Sequence, residues 1–182
     1  FQCNSKALLG EWSSSFYVTG QEVYLWSDRH VYAVPFDSGK ISAHAVVGYP
    51  LDQFSFKADG DTLHISVVED LYGASGSYNG SSLSMLSLKR SAFDHLGKQP
   101  IGPNERKQLS PTLSYTSSHR HIGEYYIAYD NASGTEQQLI VHHRPTRETS
   151  TVRLEGSVTR IDSMGQVGAL IVEQRPQGMA LR

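Results

Sequence analysis

Apolar and polar residues alternate in short runs along most of this chain, with the period of two that a β-strand imposes. The runs are residues 16–18 (FYV), 22–26 (EVYLW), 30–34 (HVYAV), 62–68 (TLHISVV), 82–88 (SLSMLSL), 124–129 (EYYIAY), 138–143 (QLIVHH) and 169–173 (ALIVE). Glycine, serine, asparagine and aspartate separate most of them, which is the punctuation of antiparallel hairpins. Helical periodicity is weak throughout. Only residues 5–12 and 103–109 offer short helical pieces, and a loop fits each as well. The pattern predicts an all-β chain.

The spacing groups the strands into units. In the first, about 16–47, Gly20-Gln21, Ser27-Asp28-Arg29 and Asp37-Ser38-Gly39-Lys40 supply three turns between four strands. Four strands in a meander have the length of one propeller blade. The second unit, about 53–93, turns at Ala58-Asp59-Gly60-Asp61 and carries a glycine-rich loop at 71–82. Residues 94–118 hold Gly97, Pro100, Gly102, Pro103 and Pro111, and read as an outer strand plus a long connection. A third unit spans about 122–156 and turns at Asn131-Ala132-Ser133-Gly134. A fourth, about 158–182, holds two or three strands. A short fourth unit leaves an open strand edge. The expectation is a partial β-propeller of three to four antiparallel blades, forming one segment over 1–182. Its remaining blades come from elsewhere in the same polypeptide or from another chain. The first residue is Phe1 rather than methionine, so the expectation includes an upstream leader or domain.

Several stretches carry a family resemblance. Gly48, Gln53, Phe54, Ser55, Phe56 and Leu63 form a glycine turn, a phenylalanine-serine strand and a leucine-led strand. Ile122, Gly123 and Glu124 open a later strand, and Val158, Arg160, Ile161, Asp162, Met164, Gly165 and Ala169 form a third stretch. These resemble the bacterial and archaeal secreted proteins with a C-terminal β-propeller distantly related to WD-type repeats. The resemblance covers most of residues 16–173, with Asp162 standing where the family has glutamate. It implies a disc of seven or eight blades, of which this chain is a segment. It also implies an extracellular, periplasmic or cell-surface location. It brings no catalytic residues with it.

Composition narrows the function. Sixteen basic and 18 acidic residues are spread along 182 positions, so no basic stripe is available to neutralise phosphates, and nucleic acid is not an expected partner. No apolar run approaches the ~20 residues of a membrane-spanning helix. Cys3 is the sole cysteine, so no internal disulfide forms.

The candidate chemistry is sparse. His119 and His121 share one strand face, and His142 on a neighbouring strand completes a possible three-histidine metal site. The plainer alternative is polar positions on two strands, with no cofactor. Arg160 and Asp162 also share a face, as a structural ion pair or as an anion contact in a propeller channel. Asp59 and Asp61 flank Gly60, in a good turn or a calcium loop. The loop at 71–82 offers Tyr72, Tyr78 and Asn79 as contact residues. Asn79-Gly80-Ser81 and Asn131-Ala132-Ser133 match the N-glycan acceptor pattern. GASGS lacks the spacing of a hydrolase nucleophile turn. The first reading is therefore a secreted, non-catalytic binding scaffold for a protein or glycan partner. The alternative is a hydrolase or metal-dependent enzyme with His119, His121 and His142 at the channel mouth.

Overall fold

The computed structural model describes residues 13–37, 39–95, 97–98, 100–113, 118–131, 137–166 and 168–182. Cys3, the piece at 5–12 and the turn at 132–134 lie outside the described residues. The chain is all-β, in four antiparallel sheets whose strands follow one another in sequence order.

Sheet one contains β1 (Ser13–Val18), β2 (Glu22–Ser27), β3 (His30–Pro35) and β4 (Ser42–Ala45). Sheet two contains β5 (Phe56–Asp59), β6 (Thr62–Tyr72), β7 (Tyr78–Lys89) and β8 (Arg106–Leu113). Sheet three contains β9 (His119–Ile122), β10 (Tyr125–Asn131), β11 (Gln137–His143) and β12 (Glu148–Leu154). Sheet four has three strands, β13 (Ser157–Met164), β14 (Gly168–Arg175) and β15 (Gly178–Leu181). A 3-10 turn, Gln53–Ser55, precedes β5. Asp52 caps it by accepting from the Phe54 N–H at 2.6 Å.

Strand alternation decides how the sheets stack. On sheet two, Leu63, Ile65 and Val67 of β6 and Leu86 and Leu88 of β7 point to one face. They pack against Tyr24, Trp26, Val31 and Ala33 of sheet one. Val68, Leu83 and Met85 point to the other face and meet Tyr126, Ala128 and Ile140 of sheet three. Sheet three repeats the device, sending Ile127, Tyr129 and Leu139 against Val158, Ile161 and Ile171 of sheet four. The result is a serial stack of four sheets with three apolar interfaces. Each fully buried leucine or isoleucine contributes about 1.5–3 kcal/mol.

The sheets also converge along one edge. β9 contacts both the Gln53–Ser55 turn and β13, and β1 contacts the same turn. The middle of sheet two is also longer than its edge. β6 has 11 residues and β7 has 12, while β5 has only 4. β5 pairs with β6 only over Thr62–Ile65, and β8 pairs with β7 no further out than Ser81, so the tip of the β6–β7 hairpin beyond Asp70 and Ser81 extends past both neighbours as a two-stranded arm.

Apolar side chains stand exposed on both outer faces of the stack. Phe16, paired with Leu25, and Val18, paired with Val23, stand on the outer face of sheet one and are exposed. Leu181, paired with Val172, and Met179 are exposed on the outer face of sheet four. No helix among the described residues is long and apolar enough to cross a membrane.

Candidate functional site

Two places gather the candidate residues. The first is the β6–β7 arm. Tyr72 pairs with Tyr78 across the hairpin, and a bulge falls between Asp70 and Tyr72. The two rings meet edge to face, with centroids 6.1 Å apart and planes at 69°. Tyr72 is 64% exposed and Tyr78 58%. Tyr49 joins them from the segment before sheet two, where its backbone bridges Val68 through two hydrogen bonds of 2.9 Å. Asp70 organises the group. Its Oδ1 accepts from the Tyr49 hydroxyl at 3.0 Å and from the Ser81 hydroxyl at 2.9 Å. The Tyr78 hydroxyl lies 2.8 Å from Ser81 Oγ. Partial burial, and then Asp70, push the Tyr49 phenol up to about 12. Asn79 packs on the other side of the hairpin, its amide against the backbone of Gly73.

The second place is the edge where β9, β13 and the Gln53–Ser55 turn converge. Arg120 Cζ lies over the Phe54 ring, 3.8 Å from its centre. Its Nε donates to the Ile161 carbonyl at 3.3 Å, and Nη2 stands 3.9 Å from Asp162 Oδ1. Asp162 also pairs with Arg160. On the opposite face of β9, His119 Nε2 is 3.3 Å from Asp52 Oδ1. Partial burial alone would raise the Asp52 carboxyl. His119, the Phe54 N–H and Arg120 outweigh it and hold the carboxyl below its ordinary range.

The three histidines do not form one ligand set. His121 and His142 are both cross-strand partners of Tyr126 on β10, one on each side. β11 is therefore not the neighbour of β9, and a buried tyrosine separates the two imidazoles. His121 Nε2 lies 3.1 Å from the Ser55 carbonyl, and His142 Nδ1 3.0 Å from the Thr149 hydroxyl. Burial takes His121 down to about 3 and His142 to about 4, so both are neutral at physiological pH. Among the described residues, no group of three or more histidine, cysteine, aspartate and glutamate side chains is placed to hold a metal ion. Asp61 of the acidic turn is paired with Lys89 at 2.8 Å.

The chain matches no protein-family model and no curated protein sequence.

The structure thus brings Arg160, Asp162, His119 and His121 to one edge, Tyr72, Tyr78 and Asn79 to the arm, and His142 between sheets two and three. It adds Tyr49 and Asp70 to the arm, and Asp52, Phe54 and Arg120 to the edge. No local signal marks Tyr49 or Asp70, because 21 residues separate them. Arg120 did carry a signal: it alternates with two histidines, so it must face the neighbouring sheet when they face away.

Proposed function

We propose that this chain is a segment of a secreted or cell-surface β-propeller, and that it serves as a non-catalytic scaffold engaging a protein or glycan partner through the β6–β7 arm. The observation that carries the binding reading is the arm itself. Three exposed tyrosines stand around a carboxylate on a hairpin that projects beyond its sheet. Tyrosine, serine, glycine and asparagine fill residues 72–82, apart from Ala74. Rigid aromatic area beside small adaptable polar groups is the composition of protein-recognition surfaces. The Tyr78 hydroxyl is tied to Ser81 and the Tyr49 hydroxyl to Asp70, and Tyr72 rests edge to face on Tyr78, so the rings are held in place before any partner arrives, which lowers the ordering cost of binding.

The propeller reading rests on the serial stack. Each sheet is a sequential meander, each inner sheet buries both faces, and first strands meet along one edge. The exposed apolar residues on the outer faces of sheets one and four are what further blades cover.

A photo-reactive residue in place of exposed Ala74 tests the binding reading in the medium or envelope fraction of the source cells. The expected result is one discrete adduct, absent when Tyr72 and Tyr78 are both changed to alanine. Labelling no stronger than at exposed Lys89 would overturn it. For the propeller, Phe16→Cys is placed in the intact protein with Cys3 changed to serine. Shielding of that thiol from a maleimide is expected, and full reactivity would sink the arrangement.

A further inference from the structure

This molecule twice holds an arginine between an aromatic face and a carboxylate. Arg90 lies over the Phe93 ring, with Cζ 5.3 Å from its centre, while its Nε donates to Glu22 at 2.9 and 3.0 Å. Arg120 lies over Phe54 and faces Asp162. The β6–β7 arm has the aromatic faces and the carboxylate, but not the arginine. Asp70 has no ion-pair partner among the described residues. Both of its hydrogen bonds fall on Oδ1, leaving Oδ2 of this exposed residue uncommitted. Nearby Arg106 is committed to Glu69.

We propose that the arm binds an arginine side chain presented by a partner protein. This rests on the reading of the arm as the contact surface, and it names what is contacted. A guanidinium lies flat on one tyrosine ring and directs its N–H fork at Asp70 Oδ2. The edge-to-face pair of Tyr72 and Tyr78 offers a ring face beside a ring edge, so a planar cation has a wall and a floor. Lysine is the weaker ligand, because a compact, strongly hydrated ammonium neither stacks nor forks. A neutral sugar leaves the Asp70 charge uncompensated.

The test uses a flexible glycine-serine peptide with two arginines, and counterparts carrying citrulline or lysine at the same places. Binding is followed by the ring resonances of the tyrosines. The arginine peptide is expected to shift Tyr49, Tyr72 and Tyr78 saturably, citrulline to shift none, and lysine to bind more weakly. Asp70→Asn is expected to weaken the arginine peptide by about tenfold, and Tyr72→Leu, which keeps bulk but removes the π face, by a smaller factor. Equal binding of the citrulline or lysine peptide, or unchanged binding to both variants, would overturn the proposal. A well-dispersed spectrum shows that each variant is folded. Should the Ala74 adduct persist while the arginine peptide fails, the arm stands as the contact surface and the arginine is wrong. Should the adduct fail as well, the parent reading falls.

Discussion

Arg120 Cζ stands 3.8 Å from the centre of the Phe54 ring, and through that contact three sheets meet at one side chain. Phe54 belongs to the turn that opens sheet two, Arg120 to sheet three, and its acceptors Ile161 and Asp162 to sheet four. Arg120→Ala removes a half-buried cation–π contact and one hydrogen bond to a carbonyl. The expected loss is about 1–3 kcal/mol. Urea unfolding should show a lower midpoint with an unchanged slope. Arg120→Lys keeps the charge but not the planar stack, and should recover only part of the loss.

Gly48 fixes where Tyr49 sits. Its φ is +71°, and a Cβ there would press into the Val68 carbonyl and approach Glu69 Cγ at 2.7 Å. Gly48→Ala therefore combines backbone strain with a clash against backbone that cannot swing away. The expected cost is about 2 kcal/mol or more. Hydrogen exchange should localise the damage to the Tyr49–Val68 bridge and the start of the arm. Uniform loss of protection across sheet two would contradict that placement.

The elements that could be read from the residues are those whose information is local. β2, β3, β6, β10 and β11 are compact runs rich in aromatic and β-branched residues, and their connections are short. Asp28, for example, sits in the two-residue β2–β3 loop at φ 50°, a conformation that aspartate tolerates better than most residues. β8 is different. Arg106–Leu113 has two leucines and Pro111, so alternation is faint, and proline is tolerated because the strand is at a sheet edge. The outer strand of sheet two therefore lies well beyond residue 93. The candidate site divides the same way. Tyr72 and Tyr78 flank a hairpin and are found together in sequence. Tyr49 and Asp70 meet only because the segment before sheet two bridges Val68. Strand order is not written in the residues, so nothing in the sequence shows that β10 lies between His142 and β9.

Acid should loosen the contact between sheets two and three. Burial lowers His64 and His142 to about 4 and His121 to about 3, with Arg144 also opposing protonation of each. Lys107 and Arg147 act in the same direction on His142, while Asp59 opposes them at His64. In the unfolded chain these rings titrate near 6.5. Between about pH 6.5 and 3 the unfolded state therefore binds more protons, and stability falls as pH falls through that window. The urea midpoint should decline from pH 7 to 4.5. His64→Gln and His142→Gln should each flatten the slope. A midpoint that stays level over that range would falsify the account.

On the alkaline side, Tyr49 reports on the arm directly. Partial burial, the hydrogen bond to Asp70 and the charge of Asp70 raise its phenol from 10 to about 12. A group whose folded pKa lies above its unfolded value contributes stability below about pH 10 and loses it as pH rises toward 12. Asp70→Asn removes the carboxylate but leaves the burial. The ring titration of Tyr49 should move down toward 10 without reaching it, and more of it should be phenolate at pH 11 than in the parent chain. A guanidinium bound beside Asp70 acts in the same direction by offsetting the negative field. The arginine peptide should therefore lower the Tyr49 titration in the parent chain and do so less in Asp70→Asn. A Tyr49 titration unmoved by Asp70→Asn would show that burial alone sets it, and would detach the carboxylate from the tyrosines it is argued to organise.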